Sequence, residues 1–183
     1  ALSERLVLDT GPDDVALAQK LEKLQPVTPR MLDAVDVENL DPHWPRAVDS
    51  LRSIPDAVTP RRKVIKVRSA VDDIFACLAR KAKNGDDVPP GADDLLPLVI
   101  LATLRARPPA LLANIKFVEL YIGDDRMSGE EGFLLTQLVA AASFLQNVDS
   151  TQLRCVSAPA FDALMNQDID AFNRAMADAS EDD

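Results

Sequence analysis

Aromatic residues make up only 4% of this 183-residue sequence, and it has six glycines, two cysteines and one histidine. Each shortage excludes something. A core with so few rings must be aliphatic, built from Leu, Val, Ile and Ala, and hydrophobic residues at 47% suffice to build one. The single histidine, His43, stands beside Trp44-Pro45 and cannot supply a His-based triad or a His-rich metal site. It is read as structural. Cys77 and Cys155 lie far apart without metal-ligand spacing, and read as two reduced thiols of an intracellular protein, at least one of them in the core. No Gly-rich phosphate loop is present. The acidic turns Asp86-Asp87 and Gly123-Asp124-Asp125 lack calcium-loop spacing. No metal and no cofactor is therefore expected. No apolar run reaches the ~18–20 residues of a membrane span, so no direct membrane insertion is expected. The first residues lack the pattern of a signal peptide.

Positive charge is also short. The net charge is −10, which excludes nucleic acid as a partner, because that affinity comes from Lys and Arg on phosphates. It argues equally against spontaneous adhesion to anionic lipid. The locally basic run Arg61, Arg62, Lys63, Lys66, Arg68 is read as a solvated helix face.

What is present is helical punctuation. Thirteen prolines fall mostly between apolar-periodic segments, and Ala and Leu favour helix. A first helix is expected over 12–25, its start marked by Asp13-Asp14 at the positive end of the dipole. Thr28-Pro29 opens a brief helix through Leu32. Helices follow from Pro45 to about Ile54, and from Thr59-Pro60 to about Lys83 with Val64, Val67, Val71, Ile74 and Leu78 in one stripe. Residues 86–91 form a loop that Pro89-Pro90 keeps out of helix. Another helix begins at Asp93-Asp94, either of which can cap it, and is apolar on every side from Leu95 to Ala102. It is therefore buried all round, or keeps part of that surface for a partner. Residues 109–121 form a further helix. Ser128 to Glu131 reads as a capping box opening a helix to Val148. One or two short helices occupy 158–178. The expectation is a single all-helical domain over 1–183, with 179–183 a disordered acidic tail.

Two features lift Asp93 above an ordinary cap. One carboxylate is enough to cap a helix, and here two precede an unusually apolar one. The spacing also builds a face: Asp93, Pro97, Ile100 and Leu104 fall at i, i+4, i+7 and i+11, and Phe133, Thr136 and Ala140 fall at i, i+3 and i+7 of the later helix. An apolar groove with an acid at one end suits docking of another protein. Periodicity leaves open whether the two faces are exposed or adjacent.

Three blocks carry a family resemblance: GADDLLP from Gly91 to Pro97, RPPALLANIKF from Arg107 to Phe117, and SGEEGFLLT from Ser128 to Thr136. In order and spacing they resemble the Vps-nine domain, the catalytic domain of exchange factors for Rab-five-type GTPases. The likeness extends over roughly 15–165, including Leu24–Leu32 and the Lys63–Leu78 helix. It implies an all-α layered stack of helices with a helical segment packed before the core. It implies release of GDP from a Rab-five-type GTPase, bound in its GDP and nucleotide-free forms, by an acidic finger that falls on Asp93. The switch regions of the GTPase would rest in the apolar groove, with Pro97, Phe133 and Thr136 at matching positions and Ile100 and Ala140 alongside. No covalent bond changes in such an activity. The protein would be cytoplasmic and peripherally recruited to endosomal membranes, by targeting elements elsewhere in a longer protein.

The sequence departs from the family at Phe133 and Phe117, where tyrosine is usual or frequent. The hydroxyl missing at Phe133 removes one hydrogen bond to the partner, worth ~0.5–1.5 kcal/mol, or about 2- to 12-fold in rate or affinity. Weakened or retuned exchange is the expectation. The alternative is a non-catalytic Rab-binding module on the same fold.

Overall fold

The structure is a computed structural model that describes residues 2–38, 41–83, 92–123 and 129–181. Among these residues there is no strand. The α-helices are α1 (Leu2–Lys23), α2 (Trp44–Arg52), α3 (Pro60–Lys83), α4 (Leu95–Ala106), α5 (Leu111–Tyr121), α6 (Glu130–Asn147), α7 (Ala158–Met165) and α8 (Ile169–Glu181). Single 3-10 turns lie at Pro29–Leu32, Ala92–Asp94 and Ser150–Gln152. The fold is an all-α layered stack: helical periodicity implies the helices, and the resemblance implies their layering.

Proline sets many of the boundaries. Pro60 opens α3, Pro45 sits in the first turn of α2, and Pro108-Pro109 follow α4, which ends on Arg107 in the left-handed region at φ 45. Pro12 is the exception. α1 passes through it, so the helix starts ten residues earlier than the sequence implies. Asp13 and Asp14 are therefore interior, not at the helix start. Asp14 accepts instead from the Leu112 and Ala113 backbone N–H groups at 2.7 and 3.1 Å. It caps α5, whose own cap residue Ala110 has no side chain able to do so.

α4 is the central helix. Leu95, Leu98, Val99, Ile100, Leu101, Ala102, Thr103, Leu104 and Ala106 are all buried, against α2, α3 and α6. The one buried hydroxyl among them, on Thr103, donates to the Val99 carbonyl at 2.7 Å. Of the two readings left open for this helix, burial is the one realised beyond its first turn. Its C-terminal end is fastened by neighbours. Gln25 donates to the Leu104 carbonyl at 2.9 Å. The Arg105 guanidinium binds the Val27 carbonyl at 2.7 Å and Glu38 at 2.6 Å. What stays near the surface is the N-terminal end, where Leu96 and Pro97 are half-buried.

Three local expectations change. Lys63 is not part of a solvated face: it is 6% exposed and donates to the Ile54 carbonyl at 3.0 Å, and burial pushes its ammonium pKa down. The residue at the α6 cap position is Gly129, with no side-chain cap; Ser128 lies outside the described residues. Glu130 and Glu131 still occupy the first turn, where the dipole favours them, and Glu130 pairs with Arg68 of α3 at 2.6 Å. At the C-terminus α8 runs to Glu181, so the acidic end begins inside a helix, and residues 182–183 lie outside the described ones. The loop expected at 86–91 and the Asp124-Asp125 part of the turn at 123–125 also lie outside the described residues.

Candidate functional site

Asp93 sits in the 3-10 turn that runs directly into α4. It is exposed, and among the described residues its carboxylate has no hydrogen-bond or ion-pair partner. The cap position belongs to Asp94, in right-handed helical geometry at φ −78, ψ −19, with no side-chain capping bond. An ordinary cap therefore does not explain Asp93. Its carboxylate stands in solvent at the positive end of a helix whose far end is tied to Gln25, Val27 and Glu38.

α6 packs against α4. Leu134, Leu135, Leu138, Ala141, Ala142 and Leu145 turn inward. On the opposite side Phe133 is 48% exposed, Thr136 is exposed and Ala140 is half-buried. The Thr136 hydroxyl donates back to the Gly132 carbonyl at 2.8 Å, which fixes its rotamer and leaves its oxygen able to accept. Pro97, four residues beyond Asp93, is half-buried on the first full turn of α4.

Ile100 does not join this surface. At 5% exposure it lies in the core, as does Leu104 at 1%. The i, i+4, i+7, i+11 stripe becomes interior after its second member, because α2, α3 and α6 enclose α4 beyond that point. The candidate residues left at or near the surface are Asp93 and Pro97 at the start of one helix and Phe133, Thr136 and Ala140 on the other. Sequence reasoning missed Arg68. Its ion pair with Glu130 ties the start of α6, one turn before Phe133, to α3. Nothing in the spacing signals it, since the two residues belong to segments far apart in the chain.

His43 is structural in this arrangement. Its Nδ1 lies 2.9 Å from the carboxylate of Asp73, which is 9% exposed, and its backbone N–H donates to Asp41 at 2.8 Å. Arg80 pairs with Asp41 at 3.3 Å, and this network joins the start of α2 to the middle of α3. Cys77 is buried beside it. Desolvation, with the Asp41 carboxylate nearby, pushes its thiol pKa up to about 12. Cys155 is exposed, and both thiols are free.

Residues 44–150 match the Vacuolar sorting protein 9 (VPS9) domain. The chain belongs to this family. Its relatives include Vacuolar protein sorting-associated protein vps901 of Schizosaccharomyces pombe, 30% identical over 145 residues, covering 79% of this chain and 24% of the relative. Vacuolar protein sorting-associated protein 9A of Arabidopsis thaliana is 28% identical over 141 residues, with coverages of 76% and 27%. The human Rab5 GDP/GTP exchange factor is 28% identical over 162 residues, with coverages of 86% and 32%. The chain thus spans about a quarter to a third of the length of these relatives. The VPS9 match contains α2 through α6 and with them every candidate surface residue. α1 lies before it, yet provides both Asp14 at the start of α5 and Lys20, whose ammonium donates to the Gln146 and Val148 carbonyls at the end of α6 at 2.8 and 2.9 Å.

Proposed function

We propose that this VPS9 domain is a guanine-nucleotide exchange domain. It promotes GDP release from a Rab5-type small GTPase in vesicle trafficking, acting while peripherally recruited to endosomal membranes. The observation that carries the reading is the solvent-facing carboxylate of Asp93, with no described partner, at the entrance of a helix whose other end is fastened. The names of the relatives, among them a Rab5 GDP/GTP exchange factor, support the same activity.

The mechanism is electrostatic. In a P-loop GTPase the β-phosphate of GDP is held by a lysine ammonium and Mg²⁺. A carboxylate inserted beside them pairs with the ammonium and repels the phosphate oxygens. GDP and the metal lose partners and leave, and the carboxylate stabilises the nucleotide-free GTPase until GTP enters. Pro97, Phe133, Thr136 and Ala140 give the switch regions an apolar seat with one hydroxyl acceptor. Ile100 supports that seat from behind. The domain comprises a core over about 15–165 braced by α1, within one folded unit.

A second reading, a binding module without exchange activity, draws on Phe133, which keeps the ring of the family's tyrosine without its hydroxyl. An exchange assay with labelled GDP on a panel of Rab GTPases, together with pull-downs against nucleotide-free, GDP and GTP forms, separates the two. Exchange predicts accelerated release and preference for the nucleotide-free form. Binding to a GTPase with no acceleration on any member of the panel selects the second reading.

A further inference from the structure

Five of the twenty basic residues of this acidic chain fall between Arg61 and Arg68, and no acidic residue occurs from Ala57 to Val71. The structure divides the five. Lys63 is buried and spent on the Ile54 carbonyl, and Arg68 is paired with Glu130. Arg61 and Arg62 are exposed and Lys66 is half-buried. Among the described residues none of these three side chains has a carboxylate within ion-pair distance. Although the chain has thirty Asp and Glu residues, three cations close together on one helix have no carboxylate partner among the described residues.

Large apolar side chains are exposed on the same stretch and at the end of α5. Val58, just before α3, is 77% exposed, and Ile65, between the cations, is 46% exposed. At the end of α5, Leu120 is 58% and Tyr121 45% exposed. The two helix ends are fixed together. Lys63 Nζ lies 5.9 Å from the centroid of the Phe117 ring, and that ring stacks at a tilt on Tyr121, centroids 5.2 Å apart. Val64, Val118 and Ile122 share one buried cluster beneath. Cations, aliphatic side chains and a tyrosine therefore occupy the same end of the molecule, where α3 begins and α5 ends.

We propose that this end adsorbs to an anionic phospholipid surface. Arg61, Arg62 and Lys66 meet the headgroup phosphates and carboxylates, Val58, Ile65 and Leu120 reach between headgroups, and Tyr121 sits at the interface. Charge complementarity carries the choice of partner: these cations have no carboxylate partner among the described residues, and they give this end a local positive charge that the net charge of −10 does not reveal. Shape favours lipid over a protein. Val58 projects singly into solvent, which suits a soft headgroup layer better than a rigid complementary pocket. Asp56 and Glu119 stand nearby and are exposed, so the attraction is moderate and reversible. The contact is adsorption, since no helix among the described residues is long and apolar enough to cross a membrane. The proposal stands whether or not the domain exchanges nucleotide.

The test is flotation of the whole chain with vesicles of phosphatidylcholine alone and of phosphatidylcholine containing about one-third phosphatidylserine. The expected result is flotation with the second only, declining as salt shortens the ~10 Å screening length. A variant carrying R61A, R62A and K66A should lose about a hundredfold in partition, at about fivefold per cation, with its thermal midpoint unchanged. V58D with I65D should also release the protein while its cations remain. Equal flotation on both vesicles, or flotation indifferent to both variants, overturns the proposal. So does retention on polyglutamate beads without flotation, which would make the patch a site for acidic protein.

Discussion

The carboxylate of Asp14, on α1, accepts a 2.7 Å hydrogen bond from the backbone N–H of Leu112, in the first turn of α5. Six residues along the same helix, Lys20 holds the last carbonyls of α6. One helix thus supplies a negative charge to the positive end of one neighbour and a positive charge to the negative end of another. Loss of a capping carboxylate costs about 0.5–2 kcal/mol, so Asp14→Ala should lower the thermal unfolding midpoint measurably. An unchanged midpoint would show that water replaces the cap without loss.

Asp93 makes the opposite prediction. With no described partner to lose, Asp93→Ala should leave the unfolding free energy within about 0.5 kcal/mol of wild type. It should slow GDP release by about 10- to 150-fold, the worth of a charged hydrogen bond of about 1.5–3 kcal/mol. Labelled GDP that leaves as fast with the variant as with wild type would sink the acidic-finger mechanism.

Phe133 and Ile100 separate contact from support. Phe133→Ala, at a side chain 48% exposed, should weaken GTPase binding with little change in stability. Ile100→Ala, at 5% exposure, should cost about 2–5 kcal/mol of stability through the cavity it leaves. Phe133→Tyr should raise exchange about 2- to 12-fold if the missing hydroxyl limits the rate. Titration of each variant against nucleotide-free GTPase, beside its denaturation curve, distinguishes these outcomes.

The two thiols should differ sharply. Cys155 should react with a thiol reagent in the native state, whereas Cys77 should react only on unfolding, because it is buried and its thiol pKa is pushed up to about 12 from 9.0. The same shift acts on stability. A raised native pKa contributes stability that is full below pH 9.0 and is lost as pH climbs toward 12. Cys77→Ala should flatten that alkaline decline in a series of urea titrations. A second thiol modified at the first one's rate under native conditions would contradict the burial.

The sequence by itself determined the helical class and most helix boundaries, and it named candidate site residues, of which Ile100 turns out to lie in the core. Periodicity and proline are local signals, and helix formation depends largely on local geometry. α3 runs from Pro60 to Lys83 as its apolar stripe implies. The order of three short blocks was enough to indicate the family. Tertiary structure alone decided which face of each helix meets water. Ile100 and Pro97 share a stripe on the helix, but one is enclosed by α2, α3 and α6 while the other sits at the open end. Lys63 lies in a basic run with Arg62, yet only Lys63 turns under the preceding connection to meet the Ile54 carbonyl. Asp14 looked like the start of its own helix and serves another, because Pro12 is accommodated within α1. In each case the deciding partner is distant in sequence. Burial, ion pairing and capping between helices arise only from how the helices pack.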